Sequence, residues 1–216
     1  MNKQTNYNHP ILAKEGLPFI IAAIIVTIIA IKLNMFFAII MILLTIFIIQ
    51  FFRDPKRMIT NQTDVIIAPA DGKVICIEKA YDEYQKVEAL KISIFMNVFN
   101  VHSNRSPANG VVVDTQYFKG SFVNADFDKA SVENERNAVI LQLENTDKIT
   151  FVQVAGLIAR RILCHTQKGA ILTAGCRYGF IRFGSRVDLY LPLTYQPVVS
   201  IGDKVSAATS IIAKIR

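Results

Sequence analysis

The chain is poor in the residues that build metal and redox sites. Its 216 residues hold three histidines, His9, His102 and His165, and three cysteines, Cys76, Cys164 and Cys176. The histidines are scattered and no Cys-x-x-C pair occurs, so neither a metal site nor a disulfide framework is expected, and the cysteines read as small buried hydrophobes. No small-x-small cleavage site follows the first apolar run, which argues against a cleaved signal peptide. Acidic residues are too few to balance the basic ones, 17 against 24, for a formal net charge of +7. Helix-turn-helix, RNA-recognition and zinc signatures are missing and the basic residues are dispersed, so nucleic acid is not an expected partner. An anionic membrane surface is, because each Lys or Arg held near one contributes about 1 kcal/mol.

What the chain has in excess is apolar sequence between Leu17 and Phe52. Lys32 and Asn34 divide it into Leu17 to Ile31 and Met35 to Phe52. A straight span of a bilayer core needs about 20 apolar residues, so one half is short and the other marginal. The pattern predicts a helical hairpin turned at Lys32-Leu33-Asn34, with a single long kinked helix as the alternative. Lys3 and Lys14 precede it and Arg53, Lys56 and Arg57 follow it. A hairpin with both ends in the cytoplasm satisfies the positive-inside tendency. The expected organisation is a polar leader over 1–16, a membrane-associated hairpin over 17–52, and a domain over 53–216 on the cytoplasmic side of the cell membrane.

From Val65 onward, short alternating runs cut by turns predict a mainly β (α+β) fold, a compact sandwich or barrel. Strands are expected over Val65 to Ala68, Lys73 to Glu78, Lys91 to Phe95, Gly110 to Tyr117, Ala138 to Glu144, Ile149 to Ala155 and Val187 to Leu191. A turn or two of helix is expected within Ala125 to Glu135, and a loop or short helix at Val98 to Val101. Gly169-Ala170-Ile171-Leu172-Thr173-Ala174-Gly175 echoes Gly202-Asp203-Lys204-Val205-Ser206-Ala207-Ala208. The echo is similar to the hairpins of lipoyl and biotinyl carrier domains.

Within Ile181-Arg182-Phe183-Gly184-Ser185-Arg186-Val187-Asp188, the Gly184-Ser185 bond is one at which a chain can cut itself. Attack of Ser185 Oγ on the Gly184 carbonyl turns the amide into an ester. Elimination then leaves dehydroalanine, which hydrolyses to a pyruvoyl group and ammonia. Glycine lacks the Cβ that would obstruct the attack and tolerates strained backbone. The dipeptide alone decides nothing, since most Gly-Ser pairs are turns and one recurs at Gly120-Ser121. Asp71, in Ala68-Pro69-Ala70-Asp71-Gly72-Lys73-Val74, reads by itself as a turn aspartate. His102, in Phe99-Asn100-Val101-His102-Ser103-Asn104-Arg105-Ser106-Pro107, reads by itself as a hydrogen-bonding surface residue of a polar loop. His165 fits a strand or its edge and a structural role. Together Ser185, His102 and Asp71 meet the minimum for activating a weak nucleophile: the imidazole takes the hydroxyl proton and the carboxylate orients it.

A specific likeness covers most of the soluble part. It runs through Ala68 to Val74; Val98 to Gly110; Tyr117 to Phe122 with Asn124-Ala125; Asp128-Lys129-Ala130 with Asn134 to Asn137; Gln153 to Ile162; and Arg177 to Pro192. In these stretches the chain resembles phosphatidylserine decarboxylase proenzymes of the short bacterial and archaeal type. The resemblance implies self-cleavage between Gly184 and Ser185 into a β chain, 1–184, and an α chain, 185–216, that stay associated. It implies a covalent pyruvoyl cofactor made from Ser185, no metal, and help from His102 and Asp71. The implied reaction converts phosphatidylserine to phosphatidylethanolamine and carbon dioxide through a Schiff base with the pyruvoyl group, at the membrane. A homodimer is compatible with it.

Two features depart from the longer members of the family, which carry Leu-Gly-Ser-Thr at the cut and two histidines in the His102 motif. Here the cut reads Phe183-Gly184-Ser185-Arg186, and Arg105 stands three residues after His102. His102 is therefore expected to serve both processing and decarboxylation. Arg105, Arg160 and Arg161 are candidates for the lipid phosphate, with a plain solvated or ion-paired role as the alternative. A rival reading is a membrane-anchored carrier or adaptor built on the Gly169 and Gly202 echo. It lacks a lysine at a clear hairpin tip in the context that cofactor attachment needs. A pyruvoyl enzyme for a soluble amino acid gives no reason for the apolar N-terminal quarter.

Overall fold

A computed structural model describes residues 10–60, 62, 64–121, 133–156, 161–182 and 185–216. The chain divides into two compact units, residues 1–56 and 57–216.

In the first unit a 3-10 turn, Lys14–Gly16, leads into α1 (Leu17–Leu33), and α2 (Met35–Phe51) follows after one residue. That residue, Asn34, is extended at φ −161°, and its Oδ1 accepts from Phe36 N at 2.8 Å, capping α2 as it breaks α1. The reversal makes a hairpin, not one kinked helix. Small side chains line the contact: Ala23, Ala30 and Ala38 are buried, and Thr27 Oγ1 lies 2.8 Å from Ala23 O and 2.9 Å from Thr45 Oγ1. Small residues let helices approach closely where the hydrophobic effect does not drive them together. The large side chains face outward instead, led by Leu33, Met35 and Phe36 at the turn. By length and composition the run Lys14–Leu33 is long and apolar enough to cross a membrane, while α2 is shorter.

In the second unit the named strands pair antiparallel throughout, and Ser121 and Asn134 form one isolated parallel bridge. Its main sheet has eight strands: β2 (Gly72–Asp82), β3 (Val87–Met96), β5 (Gly110–Phe118), β6 (Arg136–Gln142), β7 (Lys148–Ala155), β9 (Ile171–Leu172), β11 (Ser185–Leu191) and β13 (Lys204–Val205). Their spatial order is β13-β2-β3-β11-β7-β6-β5-β9. Two three-stranded sheets complete it: β4 (Ser103–Arg105), β10 (Arg177–Ile181) and β8 (Ile162–Cys164), and β1 (Val65–Ile67), β14 (Ile211–Ile215) and β12 (Tyr195–Pro197). All seven expected strands are present, and the mainly β class is as expected. The turn expected within Ala125 to Glu135 falls mostly on 122–132, outside the described residues. Asn97 to Asn100 is a loop turn.

The Gly169 and Gly202 echo is a repeat of conformation. Each copy opens on a glycine with positive φ, +86° and +102°, contains a two-residue strand, β9 or β13, and ends on another positive φ, at Gly175 or Ala208. The two strands lie at opposite ends of the main sheet, yet a Cβ on Gly175 would come within 3.1 Å of Ala208 Cβ. The sheet therefore curls until its ends meet.

Every residue of β11 is buried, between β3 and β7. Alternation sends Val187, Leu189 and Leu191 into a core shared with Ile92, Ile94, Met96 and Phe151. Arg186, Asp188 and Tyr190 take the other face. There Tyr84, from the β2–β3 hairpin, meets Tyr190 and Phe118, with ring centroids 6.4 and 5.8 Å away. Arg186 and Asp188 are each 1% exposed and ion-paired, with Nε 2.8 Å from Oδ1 and Nη2 donating to Oδ2 at 3.2 Å. Removing one partner of a buried pair leaves the other charge desolvated. Asp188→Ala is expected to cost about 3–5 kcal/mol in urea unfolding. An Arg186→Met, Asp188→Leu double variant is expected to lose much less. Equal losses would show that the pair itself, not a stranded charge, sets the cost.

Candidate functional site

Ser185 opens β11, with Met96 of β3 and Ala155 of β7 as its register partners. Its side chain shares the core face with Val187 and is fully buried. There the hydroxyl donates to Met96 Sδ at 3.4 Å. A thioether is a weak acceptor, so this hydroxyl is desolvated without being firmly held. The Ser121 hydroxyl, in the other Gly-Ser pair, donates to Glu133 O at 3.1 Å on the surface. Burial separates the two serines. Gly184 and Phe183 lie outside the described residues.

His102 is fully buried, which corrects the expectation of a surface loop residue. The polar stretch after it is the buried strand β4, paired with β10, and Ile181 N donates to His102 O at 3.3 Å. Ile181, the last residue of β10, stands three residues before the pair Gly184-Ser185 in the sequence. His102 Nδ1 lies 3.0 Å from Asn100 O, and the ring packs against Phe180 at 6.3 Å. A carbonyl can only accept, so Nδ1 carries the proton and Nε2 is left as the basic nitrogen of the neutral ring.

Asp71 lies in the turn before β2, with Oδ1 accepting from Ala207 N at 2.8 Å and Oδ2 from Arg57 Nη2 at 2.7 Å. Its turn reaches the histidine strand through the backbone, Arg105 N donating to Pro69 O at 2.8 Å. His102 thus stands at one end of the β10–β4 pairing. Asp71 stands at the other end of β4, bound to Arg57 instead of the imidazole.

Arg105 is buried and donates from Nη1 to Gly175 O at 3.1 Å. Arg161 is exposed, and Arg160 lies outside the described residues. His165 follows β8, exposed, its N–H donating to Tyr178 O at 2.7 Å. Of the cysteines only Cys176 is buried; Cys76, at a bulge of β2, and Cys164 are half-buried. Burial, then a hydrogen bond with Glu78, pushes the Cys76 thiol up to about 11, and burial raises Cys164. Neither is a ready thiolate at neutral pH. Burial likewise lifts the Tyr178 hydroxyl well above its ordinary range, which removes it as a base. Among the described residues no three His, Cys, Asp or Glu side chains gather as metal ligands.

Sequence reasoning missed Met96, Asn104 and Gln153, whose polar atoms meet beneath Ser185. It also missed the Arg186–Asp188 pair. Two charges spaced by two in an otherwise apolar strand signal a buried pair on one face.

The chain is similar over nearly its whole length to proteins with an established name. Phosphatidylserine decarboxylase proenzymes of Ralstonia pickettii, Paraburkholderia phytofirmans and Ralstonia nicotianae are 55%, 54% and 56% identical to it, each alignment covering 97% of this chain. The same alignments cover 98%, 100% and 98% of those proteins. The family model for phosphatidylserine decarboxylase matches residues 44–213, a span that takes in Asp71, His102 and Ser185. The chain belongs to the phosphatidylserine decarboxylase family.

Proposed function

We propose that this protein is a self-processing, membrane-associated enzyme that decarboxylates phosphatidylserine to phosphatidylethanolamine. The observation that carries this reading is Ser185: a buried hydroxyl on the central strand, facing a thioether, directly after glycine. In the first step His102 Nε2 takes the hydroxyl proton and Oγ attacks the Gly184 carbonyl. The imidazole passes that proton to the Ser185 nitrogen as the C–N bond breaks and the ester forms. Loss of the Cα proton then expels the new carboxylate of residue 184, and water releases ammonia to leave a ketone at residue 185. Water is the only co-reactant.

A pyruvoyl group at residue 185 is supported by the full burial of that position and by its small register partner, Ala155. Such a group supplies an electron sink for the pair released when carbon dioxide departs. His102 then returns a proton to the substrate carbon, a task for which the imidazole suits neutral pH. Asp71 assists by holding the turn beside β4, with Arg57 as its counter-ion.

The test is intact mass spectrometry of freshly purified protein. Two polypeptides are expected, residues 1–184 and 185–216, the smaller with a ketone in place of its amino group. An active preparation made of one uncut chain overturns the reading.

The exposed apolar surface of α1 and α2 supports insertion of the hairpin into the cytoplasmic leaflet. A 17-residue helix is about 25 Å long. That is slightly less than the roughly 30 Å hydrocarbon core. The protein is expected to float with vesicles of phosphatidylethanolamine and phosphatidylglycerol even at high salt, and Leu33→Asp with Phe36→Asp to abolish flotation. Unchanged flotation of that variant rules out insertion by the hairpin.

A further inference from the structure

A chain of buried side-chain amides runs from the main sheet to the nucleophile. Gln153, on the core face of β7, donates from Nε2 to Asn104 Oδ1 at 2.8 Å. Its own Oε1 accepts from Asn137 Nδ2 at 3.3 Å. Gln153 and Asn104 are fully buried and Asn137 nearly so. With Oδ1 taken by a donor, the Asn104 amide presents Nδ2 on its other side, where it meets Met96 Sδ at 3.8 Å. The Ser185 hydroxyl donates to that same sulfur. Gly179 clears the path. It faces Asn104 across the β4–β10 pairing, and a Cβ there would stand 2.6 Å from Gln153 Nε2.

An amide N–H aimed at a thioether falls well short of the hydrogen bond it is able to make. When Ser185 gives up its proton, Oγ changes from donor to acceptor, and the sulfur, also an acceptor, has nothing to offer it. Asn104 Nδ2 is the donor converging on the same sulfur. We infer that Asn104 donates a hydrogen bond to Ser185 Oγ as it becomes the nucleophile, and that Gln153 is the positioning residue that fixes which end of the Asn104 amide faces it. The inference rests on the self-cleavage reading above and deepens it.

Amide reversal provides the test, read as the rate at which the full-length mass disappears. An ionised Glu at position 153 can only accept, so in Gln153→Glu at neutral pH and above the Asn104 amide must turn its NH2 toward Glu and its oxygen toward Ser185. Cleavage is expected to slow by about 10²-fold, as in Asn104→Leu, because one donor at a developing negative oxygen is lost. Gln153→Leu leaves the amide able to rotate and is expected to slow cleavage only about tenfold. Asn104→Asp keeps an oxygen for Gln153 but sets a second acceptor against Oγ. It is expected to be slow at neutral pH and to gain on wild type as pH falls and the carboxyl regains a proton, a response that a packing defect does not give. Thermal unfolding of each variant separates slow cleavage from loss of fold, and Asn104→Asp decides should Gln153→Glu not fold. Wild-type cleavage rates in Asn104→Asp or Gln153→Glu overturn the inference. An uncut wild type counts instead against self-cleavage itself.

Discussion

Ser185→Ala is expected to leave the polypeptide whole, with no fragment beginning at residue 185 and no conversion of phosphatidylserine in vesicles, however long it is incubated. The substitution deletes one buried atom. Oγ contacts a sulfur, and alanine fills the remainder of the site beside Met96 and Ala155. A weak contact of this sort contributes at most about 1 kcal/mol, so the fold should persist and the loss should be chemical. Thermal unfolding of the variant, set beside the uncut wild-type precursor, checks that point. The two outcomes are linked: without Oγ there is no ester, without the ester no elimination, and without elimination no ketone. A Ser185→Ala chain that still splits after residue 184 would falsify the assignment of the nucleophile.

The strands legible in the sequence were those whose side chains alternate between core and solvent, or are mostly apolar, such as Ile149 to Ala155. Strand β4 was not, because Ser103, Asn104 and Arg105 are polar and read as a loop. They are buried because neighbours bring partners: Gln153 for Asn104 and the Gly175 carbonyl for Arg105. Burying a polar group costs little once it is hydrogen-bonded, but the partner lies about fifty or more residues away and leaves no local pattern. The two-residue strands β9 and β13 were visible only as a repeated motif. Within the site, Ser185 and its glycine stood out by chemistry and by likeness to a family. Met96 and Gln153 did not, since positions 96, 153 and 185 become neighbours through strand register, which spacing along the chain does not encode.

Register also changes what each polar residue is expected to contribute. His102→Ala is expected to slow self-cleavage by about 10²–10⁴-fold, the usual cost of losing a general base. Asp71→Asn should slow it far less, by about tenfold at most, because the Asn100 carbonyl fixes the imidazole tautomer without a carboxylate. Asn at position 71 also keeps an oxygen for Ala207 N and loses only the charge facing Arg57. Time courses of precursor mass for both variants make the comparison. If Asp71→Asn proves as slow as His102→Ala, the carboxylate must leave Arg57 and engage the imidazole when the bond is attacked, and the Asn100 contact is not what orients the base. If His102→Ala is cut as fast as wild type, the proton of Ser185 goes elsewhere, and the burial of the imidazole at the end of β4 is structural alone.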